Sequence, residues 1–537
     1  MAVEEPSHLT KGASAPEPSG WFLSADERGN AHTVLDRRHV DGVAWSGGNE
    51  VQALVHGAVY FRELFAAVQA MGSGDLLMFT VWRGDPDQRL EGPGTEVGSV
   101  FAAAARRGVD VRGLVWRSHS DRFHFSARSN RHLSEEVNAA GGQCLLDMRV
   151  RPLGSHHQKL VVLRHAGHPE RDVAFIGGID LCHGRGDDPS HRGDPQGLEM
   201  AAQYGTHPPW HDVQLAVQGP AVGDAEAVFR ERWDDPARLS YSPLHVIEAR
   251  RYRQDGRARA LPPQLPDPLP HGSHAVQLLR TYPPRRPGYP FAPHGELSVA
   301  RGYSKALKQA RSLVYVENQY LWSVDVAREF AAALARQPQL HLIVVMPRFP
   351  EQDGWASEPP NLQGREPAMR LLQAAGGSRV AVYSLENAAG TPVYVHAKVC
   401  VIDDTWACVG SDNANRRSWT HDSELSCAVL DTGSDFHADV SWARSLRHEL
   451  AQEHLGPGAG AGDVTDPVRA FSAFRRAAAD LDAWHLAGRR GPRPPGQLRS
   501  YAPAPLPRWT RAWAFPLYRI LYDPDGRTAR MRHDHSF

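Results

Sequence analysis

The chain repeats itself, and that repeat constrains the architecture more than any single motif. In the first half a helical pattern (Tyr60, Leu64, Phe65, Val68) runs into the apolar stretch LLMFTVW at 76–82. In the second half a helix-like stretch ending ARSL runs into LVYVENQYLW at 313–322. Each strand leads to an alanine-rich helix and a further strand, FAAAARRGVDVRGLVW in one half and FAAALARQPQLHLIVVMP in the other. This is strand–helix–strand grammar written twice, and it predicts an α/β protein of two similar halves. Both halves go on to a strand bearing His-x-Lys, a hairpin-like return, and a His-Asp doublet opening another strand. The spacing agrees, with 75 residues from Trp82 to His157 and 77 from Gln319 to His396.

The punctuation divides the chain. Residues 1–20 read as a disordered extension. The first half is expected over 21–250, an Arg/Pro-rich extended linker over 251–275, the second half over 276–455, and a Gly/Pro/Arg-rich extension with one helix near Val468–Leu486 over 456–537. At 537 residues and 41% apolar, such a chain can bury a substantial core. Sixty Lys+Arg against 61 Asp+Glu leave a formal charge of −1, which disfavours a globally basic nucleic-acid binder. Five cysteines without a CxxC pair suit a reducing, cytoplasmic setting better than a disulfide framework. The first dozen residues carry no secretory pattern, and the most apolar stretch, Leu340–Met346, is too short to span a bilayer, so membrane contact is expected to be peripheral.

Only five of the 60 basic residues are lysine, and two of these lie in the repeated His-x-Lys pairs. Residues i and i+2 of a strand share a face, so His157 projects with Lys159 and His396 with Lys398. Composition alone gives about 0.26 such pairs by chance, so one pair would be weak and two in equivalent repeat positions are not. The bland reading is two solvated strand ends. After each pair comes a glycine-marked return strand. Gly177 and Gly178 in FIGGID allow close approach of backbone to a ligand, while Ser411 and Asn413 in CVGSDN offer donors suited to phosphate oxygens, with Asp180 in the slot equivalent to Asn413. The doublets then supply carboxylates. A carboxylate on imidazole Nδ1 fixes the tautomer and supports the imidazolium, and chain order suggests Asp212 for His157 and Glu424 for His396. Gln319, with Glu317 and Asn318, begins a strand and either lines the cleft or satisfies a strand end; Trp82, His156 and Trp210 have the same standing. Cys182 lies near the first motif without a Cys-His-Asn order, and a buried structural thiol is the commoner case. No HExxH or other zinc spacing occurs, so neither metal nor other cofactor is expected.

These features resemble the phospholipase D superfamily: two HxK motifs, GSxN, and in particular HHQK, FIGGIDL, PWHDVQLAVQGPA, YVENQY and DSEL, which are similar to its lipid-hydrolysing branch. The resemblance covers roughly residues 45–450. It implies two pseudo-symmetric α-β-α sandwich halves, each a mixed sheet flanked by helices, facing each other across a pseudo-twofold with one shared active site and metal-independent phosphoryl chemistry. It also marks Asp172 and Asp403 as structural motif acids. The second motif is intact to Asp403, whereas in the first the expected aspartate position holds Arg164, with Asp172 following an insertion. By resemblance His157 attacks phosphorus to give a phosphohistidine, and His396 protonates the leaving alcohol and then activates water. Sequence alone does not order the two.

A phosphodiester repels nucleophiles and its alkoxide leaves poorly, so positive clamps, a nitrogen nucleophile and a proton donor are what its cleavage requires. The expected partner is a phospholipid at a membrane surface, cut on its head-group side, with water or a primary alcohol as acceptor and the protein a monomer. Phosphatidyl transfer as in cardiolipin synthesis is the first rival; a nuclease and a silent lipid-binding module come after it. The tail from Arg489 interleaves arginines with Trp509, Trp513, Phe515, Tyr518 and Leu521. Such a segment suits an anionic lipid surface, and the preferred alternative is a strap held across the core by its aromatics.

Overall fold

The computed structural model describes residues 15–39, 42–119, 126–354, 357–432, 441–457, 464–503 and 505–537. Each half is built on a seven-stranded mixed sheet. In the first half these are β1 (Ser46–Val55), β2 (Leu76–Val81), β3 (Asp110–Trp116), β4 (Gln143–Asp147), β5 (Leu160–Arg164), β6 (Val173–Gly177) and β7 (Val213–Gln218). In the second they are β8 (His274–Tyr282), β9 (Leu313–Asn318), β10 (His341–Val345), β11 (Val380–Glu386), β12 (Lys398–Ile402), β13 (Trp406–Gly410) and β14 (Glu424–Asp431). The pairings run β4-β3-β2-β5-β6-β7-β1 and, in the same spatial order, β11-β10-β9-β12-β13-β14-β8. Within these two seven-stranded sheets β2-β3-β4 and β9-β10-β11 pair in parallel, as strands joined by crossover helices do, and the other neighbours are antiparallel. Irregular pairing of β1 with β8 joins the two halves into one sheet. The central strands are buried on both faces, hence their Val/Leu/Ile runs rather than alternation.

The molecule has three layers. The helices Gly57–Gln69, Val97–Arg106 and Ala127–Ala139 cover one face of the first sheet, and Ser298–Gln309, Val324–Arg336 and Arg365–Gly376 cover the equivalent face of the second. The opposite faces share one core with Ala221–Trp233, Trp442–Leu455 and Pro467–Leu486. Residues 1–14 of the segment expected to be disordered lie outside the described residues; beyond them, Pro18–Trp21 form a helical turn. The physical reason is an anchor: Phe22 and Leu23 are buried in the second half's core, and Gln277 Oε1 accepts from Leu23 N at 2.8 Å. Residues 254–273 carry no regular secondary structure and are tied to the first half, where Arg164 Nη2 donates to Pro266 O at 2.6 Å. Near the C-terminus, Leu498–Ser500 extends the second sheet antiparallel to β11.

Candidate active site

The two His-x-Lys segments lie where the chain crosses between halves. Trp210–His211 pairs in parallel with Pro392–Val395, and a matching bridge links His156 to Ser423. The motif histidines therefore precede β5 and β12 instead of lying within them as the sequence suggests. Their backbones are bonded to the opposite half: His157 N donates to Ser423 O at 2.9 Å and His396 N to His211 O at 2.7 Å. The strand register makes the two doublets equivalent. Gly177 pairs with Gln214 and Gly410 with Ser426, so Asp212 and Glu424, two residues earlier, occupy the same place in the repeat.

The carboxylate pairing expected from chain order is inverted. His157 Nδ1 lies 2.9 Å from Glu424 Oε2, and His396 Nδ1 lies 2.6 Å from Asp212 Oδ2. Each imidazole takes its carboxylate from the other half, because the cross-half strand pairing sets each doublet beside the partner motif. Both carboxylates are fully buried. The lysines remain local. Lys159 Nζ donates to His157 O at 3.0 Å and pairs with Asp180 Oδ2 at 3.1 Å; Lys398 Nζ donates to His396 O and to Gln319 Oε1, the latter at 3.2 Å. Gln319 thus stands at Lys398 where Asp180 stands at Lys159, with a neutral amide oxygen in place of a carboxylate. The two sets share one electrostatic environment, since Lys398 acts on His157 and Lys159 acts on Lys398.

Burial and these ammonium charges hold both motif imidazoles well below the usual histidine range. The carboxylates differ. Burial opposes ionisation of Asp212, but its histidine and Lys398 prevail and bring it to about 2. Glu424 is pushed up to about 8 by burial and by the charge of Asp422. Burial lowers Lys398 to about 7. At neutral pH one dyad therefore holds an ionised carboxylate and the other retains a proton.

The remaining candidates divide. Asn413 is buried, with Oδ1 unpartnered. Ser411 is already committed, because its Oγ donates to Glu424 Oε2 at 2.5 Å and accepts from Leu425 N at 3.0 Å. Gly177 and Gly178 make room for the protein itself: a Cβ on Gly178 would sit 2.3 Å from Asp212 Oδ1, and one on Gly177 2.7 Å from Val213 O. Asp403 accepts from the amides of Arg311, Ser312 and Leu313, tying the entry to β9. Asp172 meets Arg164, the residue standing in its motif slot, at 2.9 Å, and Glu226 flanks the same guanidinium at 2.9 Å. Both acids are structural supports away from the imidazoles. Burial pushes the Cys182 thiol up to about 12, consistent with an inert packing residue.

Sequence reasoning missed Arg185, whose guanidinium lies 3.7 Å over the Trp210 ring and whose charge reaches His396 and Lys398. Nothing in GRGDDP distinguishes it from 54 other arginines. Aromatics wall the site: Trp82 meets the His157 ring edge-on at 5.9 Å and Trp210 lies 4.9 Å from the His396 ring. On the outer rim, Arg417 joins three segments, donating to Leu153 O at 2.7 Å, Leu521 O at 2.6 Å and Asp422 Oδ2 at 2.8 Å. Asp422 in turn accepts from Ser155 N and Oγ, two residues before His157. Leu153 and Leu521 are exposed, Leu153 in the left-handed backbone region, and Trp509, Phe515 and Ile520 in the helical segment 508–522 are exposed as well. The strap expected of the tail holds through polar contacts, Tyr518 to Trp322 O at 2.6 Å and Arg416 to Asp523 at 2.9 Å, while the aromatics Trp509 and Phe515 face out. Among the described residues no helix is long and apolar enough to cross a membrane.

Comparison with known proteins gives two family matches, to Phospholipase D over residues 85–281 and to Cardiolipin synthase, PLD-like domain over residues 303–441. The chain is 25% identical to Phospholipase D alpha 1 of Cynara cardunculus across 69% of its own length and 60% of that protein. It is 24% identical to Phospholipase D beta 1 of Arabidopsis thaliana across 68% of its length and 44% of that protein. It thus spans 60% or less of these curated relatives. Among solved structures it aligns with phosphatidylserine synthase of Haemophilus influenzae Rd KW20 at a TM-score of 0.48 and 13% identity, covering 72% of this chain and 83% of that one.

Proposed function

The chain belongs to the phospholipase D superfamily, and from that premise we propose that it cleaves the head-group phosphodiester of glycerophospholipids, releasing phosphatidic acid and the head-group alcohol. The observation that carries this reading is the pair of cross-bonded dyads, His157–Glu424 and His396–Asp212, with Lys159 and Lys398 beside them. Two imidazoles, each oriented through Nδ1, have Nε2 available for attack on phosphorus and for proton transfer to the leaving oxygen. Two ammonium groups balance the charge developing on the non-bridging oxygens, and the amide NH2 of Asn413, not its oxygen, is the group that can donate to them. In the scheme taken from family resemblance, His157 attacks and forms a phosphohistidine, His396 protonates the departing alcohol, and His396 then draws a proton from water for the second displacement. An alcohol in place of water exchanges the head group.

A second ordering has a specific observation in its favour. The proton retained near neutral pH belongs to the His157–Glu424 dyad, which suits it to donate, and the ionised Asp212 leaves His396 Nε2 with a free lone pair, which suits it to attack. Mapping the modified histidine separates the two orders. The exposed apolar residues beside Arg417 support a lipid surface, met peripherally, as the place of action. The match of the second half to a cardiolipin synthase domain keeps phosphatidyl transfer as the rival. Mass spectrometry of products from mixed phospholipids supplied with a primary alcohol tests the proposal. Phosphatidic acid together with a phosphatidyl-alcohol supports it. Products formed only when phosphatidylglycerol is the acceptor, with no hydrolysis, refute hydrolysis and favour the transferase.

A further inference from the structure

Behind the catalytic pair lies a second cluster of imidazoles that the proposed chemistry does not use. His56, immediately before the helix Gly57–Gln69, His191, in the loop after β6, and His211, beside Asp212, meet Glu453 of the helix Trp442–Leu455. Their donor atoms all lie within 4.8 Å of one another. Glu453 Oε2 is 2.7 Å from His56 Nε2, while its Oε1 is 3.0 Å from His191 Nε2 and 3.3 Å from His211 Nδ1. All three imidazoles are buried, and Glu453 is nearly so, with its side chain 11% exposed.

Three observations point to a ligand. The far nitrogens of two rings are already engaged, His191 Nδ1 with Trp210 O at 3.1 Å and His211 Nε2 with Glu317 Oε2 at 2.6 Å. Backbone carbonyl and carboxylate are the partners that fix tautomer and orientation in metal-ligating histidines. They leave His191 Nε2 and His211 Nδ1 to present lone pairs to the common centre. Next, His211 Nδ1 is fully buried and aimed into the cluster, where its contact with Glu453 Oε1 at 3.3 Å does not have hydrogen-bond geometry. Finally, the backbone is strained where two ligands enter: His56 has φ 72° and ψ 151°, a region populated essentially by glycine, and His191 has φ 50°. The overlapping group His211–Glu317–His454 is a less suitable centre, because Glu317 already accepts from His211, His454 and Tyr315.

We propose that His56, His191, His211 and Glu453 form a closed, four-ligand site for a divalent transition ion of the zinc class. Three imidazole nitrogens and one carboxylate oxygen are a donor set suited to tetrahedral zinc, and four protein ligands make a structural site with no open position for substrate. The ion joins the two halves, since Glu453 comes from the second and the three histidines from the first. It also stiffens the strand whose next residue, Asp212, orients His396. The ligands stand up to 397 residues apart, so no motif spacing could reveal them.

Purified full-length protein tests this by elemental analysis, cobalt titration and thermal unfolding. We expect about one zinc per chain, visible absorption bands of tetrahedral cobalt after exchange, and a melting temperature lowered by chelator. His191→Ala and Glu453→Gln are expected to cut bound zinc at least tenfold and to abolish the chelator's effect. If neither variant folds, the cobalt titration of chelated wild type decides the matter on its own. Wild type that takes up neither zinc nor cobalt at one equivalent overturns the proposal, as does zinc bound equally well by both folded variants.

Discussion

Replacing Glu424 by glutamine keeps the shape of the side chain and removes its ionisation, so it isolates the charge of one dyad. In the folded protein Glu424 holds its proton to about 8; in the unfolded chain it ionises near 4.5. Between these values the native state binds one more proton than the unfolded state. The stability this contributes is fully present below 4.5 and is lost as pH rises toward 8, at about 1.4 kcal/mol per pH unit. Over the whole window the loss is on the order of 3–5 kcal/mol for a fully buried group. Glu424→Gln has no such loss. Chemical unfolding of wild type and variant, followed by tryptophan fluorescence from pH 5 to pH 8, therefore shows the variant gaining on wild type as pH rises, while its turnover falls about 10²-fold or more. A stability difference that stays constant with pH, or moves the other way, refutes the reasoning: Glu424 is then ionised in the native state and both dyads are alike.

The same geometry carries other expectations. Because Lys398 is lowered to about 7, kcat/KM falls as pH rises through that value, and Lys398→Arg, which stays charged, flattens this limb of the profile even where its absolute rate is lower. Arg164→Met leaves Asp172 buried without its guanidinium and Glu226 with Arg230 alone, and equilibrium unfolding shows a loss of about 3–5 kcal/mol with no change in the pH profile of activity. Replacing Trp509, Phe515 and Ile520 together by serine weakens co-sedimentation with anionic phospholipid vesicles and lowers turnover on them at least tenfold, but leaves hydrolysis of a soluble short-chain phospholipid unchanged.

The sequence showed the duplication, the strand-and-helix order of each half and the two His-x-Lys pairs, because all of these are written in local periodicity and repeated spacing. The long helix near Val468–Leu486 was legible for the same reason and runs from Pro467 to Leu486. The pairing of Asp212 and Glu424 was not. Chain order favours partners within a half, and it takes the parallel contact of Trp210–His211 with Pro392–Val395 and the bridge of His156 to Ser423 to reveal that each doublet lies beside the opposite motif. The glycines were legible as sites of close approach, though the approaching atoms belong to Asp212 at Gly178 and to Val213 and Gln214 at Gly177, not to a ligand. Arg164 looked like a defect in the first motif; in the fold it is the buried counter-ion of the aspartate that the insertion displaced. The contacts of His56, His191, His211 and Glu453 depend on tertiary structure alone.

The mechanism stands on one imidazole from each half acting on a single phosphorus atom through a covalent intermediate. Rapid denaturing quench during turnover of a phospholipid, with peptide mass spectrometry of the quenched protein, tests it most directly. The expected result is a phosphatidyl adduct on one histidine, either His157 or His396, absent when that residue is alanine, and no turnover in either alanine variant. Undiminished product release in both alanine variants contradicts it.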